Sequence, residues 1–220
     1  MSQLREDLFG RSVIYTDVST IDSSNIGEVL EDAVEDFQQN ATDIDYLYGI
    51  YRGDMPILQK QSTYNEDVNN HIVVNRAYEV VSFKCGYFLS APIQYIDAAY
   101  NDSEEEINNS DIDKLMMYCN LESKNSIDQS VVTWQSICGT AYKMALPKTD
   151  LVPDDSESPF NMYALDPRYT FIVYSSRLGH KPMMSVTFAN LRRRGRMLIL
   201  SHREELVWQA QKYFRCSYGA

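Results

Sequence analysis

The densest charge in the chain is Arg192, Arg193, Arg194 and Arg196, four cations in five positions interrupted only by Gly195. Guanidinium groups at that density can touch phosphates, bind carboxylates on a neighbouring subunit, or simply solubilise a turn, and the residues leave all three readings open. The run lies between two stretches of strand character, which predicts a hairpin turn. Thiol chemistry is poorly served: Cys85, Cys119, Cys138 and Cys216 form no CxxC pair, and His71, His180 and His202 stand in no patterned relation to them. The first three fall on apolar helical stripes and read as reduced core residues. Acid groups at Glu104 to Glu106 and at Asp154 and Asp155 could serve acid–base work or hold a hard cation, yet both sit in polar loops where solvation is the default. Ser136 lacks a GxSxG elbow and is predicted on a helix, and nothing matches GxxxxGK or GxGxxG. No catalytic residue, cofactor site or metal site is expected, and the chain does not read as an enzyme.

The charge is uneven. The 220 residues carry a net −11, but residues 1–150 hold 25 acidic against 10 basic side chains and residues 151–220 hold 6 against 10. The first two thirds would repel a phosphate backbone, so any contact with double-stranded DNA is expected to be weak, non-specific and confined to the arginine run. A hydrophobic share of 44% with 16 tyrosines argues for a packed protein. No run reaches the roughly 18 to 20 apolar residues of a membrane span, and Arg5, Glu6 and Asp7 stand where a signal peptide would turn apolar, so no membrane is expected and the cytoplasm is the expected place of synthesis.

The elements that would position these groups are helices first and strands after, an α+β class. Residues 1–24 read as an arm with little core of its own. Residues 25–149 read as a helical region. Ile26, Val29, Leu30, Ala33, Val34 and Phe37 mark one amphipathic helix, with Asn25 and Glu28 as a capping pair. A second helix is predicted from Thr42 to about Gly53. Val74, Tyr78, Val81, Cys85 and Phe88 predict the buried stripe of the next. Capping boxes at Ser110 with Asp113 and at Ser126 with Gln129 predict two more, the last ending at Gly139 with Trp134 as a core anchor beside Ile127, Val131 and Cys138. Residues 140–146 alternate as a strand. Residues 150–160, rich in Pro, Ser and acid, read as a linker. In 161–220 the period drops to two, predicting an antiparallel meander with strands at 171–175, 183–189, 197–201 and 206–209.

Several of these stretches together resemble the portal proteins of long-tailed phages that infect Gram-positive hosts. They are Tyr46-Leu-Tyr48-Gly-Ile-Tyr51-Arg-Gly53 with Ile57 beyond; Asn69-Asn-His-Ile-Val73-Val-Asn75; Gly86-Tyr87-Phe-Leu-Ser90-Ala-Pro92-Ile-Gln-Tyr95, where Ser90 replaces the usual glycine; Trp134-Gln-Ser-Ile-Cys-Gly139-Thr-Ala-Tyr142; and Leu165-Asp-Pro167-Arg-Tyr-Thr-Phe171-Ile-Val-Tyr174. Their order and spacing carry the resemblance. It implies a structural head–tail connector subunit of a virion, forming a ring, usually dodecameric, at one capsid vertex through which DNA is packaged and ejected. The implied partners are other copies of the chain, the terminase large subunit, the capsid, and head-completion and tail proteins. Another virion or prophage interaction protein without ring activity is the alternative.

Members of that family continue into stem, clip and tunnel-loop regions that find no counterpart after Trp208. The expectation is therefore a fragment, a truncated prophage gene or a shortened paralogue, forming a monomer or an ill-defined oligomer rather than a normal ring.

Overall fold

Seven side chains of one helix, Ile26, Val29, Leu30, Ala33, Phe37, Asn40 and Ile44, are buried at intervals of three and four. That single stripe runs from Ile26 to Ile44 of α1 (Ile26–Arg52) in the computed structural model, which describes residues 12–60, 72–96, 110–148, 157–189 and 196–200. The two helices expected here are one. The apparent break fails because Asn40, polar by type, lies on the buried face and donates its side-chain amide to the Ser12 carbonyl at 2.8 Å. Thr42 bonds back to the Gln38 carbonyl at 2.9 Å, within the helix rather than at its start. The predicted Asn25–Glu28 pair is also corrected. Asn25 stands at the N-cap without capping α1: its side chain accepts from the Asp22 amide and donates to the Thr20 carbonyl, bracing the turn before the helix.

The buried face of α1 lies on a four-stranded sheet of order β1-β4-β5-β6, with β1 Ile14–Thr16, β4 Thr170–Ser175, β5 Pro182–Ala189 and β6 Arg196–Leu200. Alternate residues Phe171, Val173 and Ser175 of β4 point into the core, as the period of two requires. Phe37 stacks on Phe171 at 4.5 Å, and Leu30 and Val173 are wholly buried, each burial worth about 1.5 to 3 kcal/mol. Strands β4, β5 and β6 are the predicted antiparallel meander, but β1 joins β4 in parallel, Ile14 opposite Val173. Residues 12–24, read as part of an arm without core, supply Ile14 and Ile21 to it. Three residues carry too little pattern to be read as a strand alone. The strand expected at 206–209 lies outside the described residues.

The remaining helices form a second layer of contacts. The 3-10 turn Pro56–Gln59 follows α1, then α2 (Arg76–Phe88), α3 (Ser110–Leu121) and α4 (Lys124–Cys138). α4 begins two residues before the predicted box at Ser126; Ser123, left-handed at φ 54°, makes the α3–α4 turn instead. Gly139 ends α4 as expected, at φ 77° with its amide on the Gln135 carbonyl. β2 (Tyr142–Pro147) follows and pairs antiparallel with β3 (Phe160–Leu165), Tyr142 opposite Leu165 and Pro147 opposite Phe160. β3 was not expected, and its pairing joins the two sides of the segment read as a linker. All its residues but the exposed Tyr163 are half-buried, on both faces, which blurs the alternation.

Two core expectations change. Of the predicted α2 stripe only Val81 is buried; Cys85 is half-buried, and Val74, Tyr78 and Phe88 are exposed. Trp134 is half-buried in an aromatic stack rather than a core anchor. The class is α+β. Among the described residues no helix is long and apolar enough to cross a membrane.

Candidate functional site

The last residue pair between β5 and β6 is Ala189 with Arg196. Arg196 thus opens β6, and the connection between the two strands carries Arg192, Arg193 and Arg194, which lie outside the described residues. Two paired strands flank the run as expected, but Arg196, read as part of the turn, belongs to β6.

Another arginine, passed over in the charge reading, organises the described part. Arg168 sits in the turn between β3 and β4. Its Nη2 and Nε donate to the Asp166 carboxylate at 2.6 and 3.0 Å, and its Nη1 reaches Asp45 of α1 at 3.3 Å. The guanidinium lies 4.3 Å from the Tyr48 ring centre and 5.3 Å from that of Trp134, and those two rings stack at 5.0 Å. One side chain thereby ties α1, α4 and the β3–β4 turn together. Its hydrogen bonds to the Asp166 carboxylate raise the Arg168 pKa further above its ordinary value, so its charge is permanent. Asp166-Pro167-Arg168 was visible as part of a motif, but its partner Asp45 is 123 residues away.

The second charged cluster is buried. Lys124 donates to Asp128 Oδ2 at 2.6 Å, one turn along α4, and Lys143 of β2 donates to Oδ1 at 2.6 Å. Lys124 also lies 5.0 Å from the Tyr95 ring centre and 3.5 Å from the Ile93 carbonyl, fastening the exit of α2 to α4. Burial opposes ionisation of Asp128, but the two ammonium donors outweigh it and its pKa falls; burial likewise opposes the charge on Lys124, and the Asp128 hydrogen bond raises its pKa. Glu122 extends the scheme, accepting from the Met162 amide at 3.3 Å and facing Lys148 at 3.7 Å. Both oxygens of Asp128 are engaged, so the cluster fastens elements together and presents no base to a ligand.

A cavity of about 450 Å³ opens between α1, the α4–β2 turn, β1 and β4, lined by Asn40, Ile44, Gln135, Tyr142 and Tyr174 among others. Burial, with Tyr174 nearby, pushes the Tyr142 hydroxyl up to about 12. Cys138 is buried with its thiol on the Trp134 and Thr140 carbonyls, and burial raises its pKa. Cys119 is buried, and Cys85 is 3.5 Å from the Thr133 hydroxyl. His180 Nδ1 is 3.2 Å from the Ser175 carbonyl, and the ring leans on Tyr15. Ser136 is half-buried on α4. The acidic groups at 104–106 and 154–155 lie outside the described residues, as do His71, His202 and Cys216. Among the described residues no group of three or more His, Cys, Asp or Glu could hold a metal ion. The arrangement is one of ion pairs joining helices to strands.

No curated protein matches the chain. A family model does, that of the phage portal proteins described as SPP1 Gp6-like, over residues 30–209, which takes in α1 from Leu30 onward, α2 to α4, both sheets except β1, and the arginine connection. The chain belongs to the phage portal protein family, a family of structural virion proteins.

Proposed function

We propose that the chain is a head–tail connector subunit that assembles with copies of itself into a ring at a capsid vertex, through which DNA is packaged and ejected. The observation that carries this reading is the family match, which spans most of the fold rather than one motif. The ion-paired joints at Arg168 and Asp128 support it, because a subunit that transmits force between capsid, motor and tail needs elements that do not slide. On this reading the terminase large subunit, the capsid and the head-completion and tail proteins are its partners, and the host cytoplasm before assembly and the virion after it are its locations. Negative-stain imaging with native mass spectrometry of the chain tests it: closed rings with a central hole would support it and refute the expectation of a monomer or ill-defined oligomer, whereas a compact monomer at all concentrations would overturn it in favour of a virion interaction protein without ring activity.

The Arg192, Arg193, Arg194 and Arg196 connection is the proposed place of DNA contact, because it concentrates cations in a chain whose first 150 residues are strongly acidic. Binding to duplex DNA is expected to be weak and to fall steeply with salt. An Arg192→Ala, Arg193→Ala, Arg194→Ala variant that retains the same DNA retardation would exclude it.

A further inference from the structure

The cavity between α1, β1, β4 and the α4–β2 turn opens where Asn40 diverts the chain. Its amide holds the Ser12 carbonyl at 2.8 Å, and β1 pairs with β4 only from Ile14 opposite Val173. Phe171 and Ile172, near the start of β4, are left without a β1 partner and line the cavity instead. Its volume of about 450 Å³ falls in the range of about 300 to 1,000 Å³ that small-molecule sites occupy. Three polar groups of its wall have hydrogen-bonding capacity to spare. Asn40 is only 6% exposed, yet its carboxamide oxygen accepts no hydrogen bond among the described residues. The Tyr142 and Tyr174 hydroxyls, on half-buried side chains, likewise have no hydrogen-bond partner among them. Buried polar groups in native proteins are nearly all paired, so these three call for an occupant that pairs them. Phe37, Ile44 and Phe171 supply apolar wall, and among the described residues no charged side chain lines the cavity.

We infer that this cavity binds a small uncharged amide with an apolar body. The ligand's N–H donates to Asn40 Oδ1, its carbonyl accepts from the Tyr142 or Tyr174 hydroxyl, and its body packs on Phe37, Ile44 and Phe171. Burial keeps Tyr142 protonated, and so a donor, well above neutral pH. A carboxylate of the same shape has no N–H for Asn40 and would leave water with no cation to receive it. A hydrocarbon leaves all three groups unpaired. The inference stands apart from the connector reading, which assigns the chain no small ligand.

Benzamide, with benzoate and toluene as its charged and apolar counterparts, tests this in nuclear magnetic resonance titrations of the 220-residue chain. Millimolar benzamide is expected to shift the backbone amides of Gly139 to Tyr142 and of Phe171 to Tyr174 saturably, and benzoate and toluene to bind at least about 10-fold more weakly. Tyr142→Phe with Tyr174→Phe keeps both rings and removes the donors. It should weaken benzamide about 5-fold, as the loss of one hydrogen bond commands, without lowering the melting temperature of the free protein. Benzamide binding of equal strength in the variant overturns the inference, and so does toluene binding as tightly as benzamide, which would make the cavity a purely apolar one. The absence of any saturable shift at these residues also overturns it, by showing that the cavity holds water alone or is filled by the chain itself. Should the variant fail to fold, the three probes on the unaltered chain decide the question without it.

Discussion

Asp128 is the side chain on which the most charge depends. Removing it leaves Lys124, itself buried, without its counter-ion and Lys143 without a partner, so Asp128→Ala is expected to cost about 3 to 5 kcal/mol in denaturant unfolding. The pH dependence follows from the shifts. The Asp128 pKa lies below its ordinary 3.8 in the fold, so its contribution is present above that value and is lost as pH falls through the lower folded value. The Lys124 pKa lies above 10.5, and Tyr142 is near 12 against an ordinary 10.0; both contributions are full below the ordinary values and fade as pH rises through the folded ones. Unfolding free energy should therefore drop in acid below about pH 4 and in alkali above about pH 10, and Asp128→Ala should flatten the acid limb. Trp134→Ala is a milder change than a core truncation. Its half-buried ring loses the Tyr48 stack and the Arg168 contact, and a cost of about 2 to 3 kcal/mol is expected from the melting curve, below the ~3 to 5 of a fully buried Trp.

At the scale of elements, the junction of α1 with α2 is decided by Gly53 and Asn75. Gly53 adopts φ 87°, its amide meets the Ile50 carbonyl at 3.0 Å, and the Asp54 amide meets that of Gly49 at 2.9 Å, closing α1 in a Schellman turn. Asn75 then works both ways: its carbonyl oxygen caps α2 at the Tyr78 amide, and its amide donates to the Tyr51 carbonyl at the end of α1. A side chain at residue 53 would carry the left-handed strain and bring its Cβ to 3.3 Å from the Asn75 amide. Gly53→Ala is expected to destabilise by about 1 to 2 kcal/mol, read as a lowered melting temperature, with hydrogen exchange accelerated at the start of α2.

For the whole molecule, the two charged joints and the aromatic stack make α1, α4 and the β2–β3 hairpin move together, while the arginine connection is the surface proposed for contact with DNA. DNA retardation through Arg192, Arg193 and Arg194 should weaken steeply between about 50 and 200 mM salt, and a gel-shift titration in which it holds over that range would exclude the run as the contact.

Local rules were enough for the α+β class, the inward stripe from Ile26 to Phe37, the glycine stops at Gly53 and Gly139, and the alternation of β4 and β5. Each depends on neighbours within a few positions, through backbone sterics or the period of one element. The arginine run was legible for the same reason, as a local density of charge. Tertiary structure decided the rest. α1 continues through Asn40 because that amide finds the Ser12 carbonyl, 28 positions away. β1 exists because β4, more than 150 residues later, offers it an edge. Arg168 becomes a joint only once Asp45 and Trp134 are brought to it. The predicted inner stripe of α2 mixed buried and exposed residues, because a helix with apolar groups all round does not say which face its own chain will cover. That choice belongs to α4, which takes Val81 and Cys85 and leaves Phe83 and Tyr87 outside.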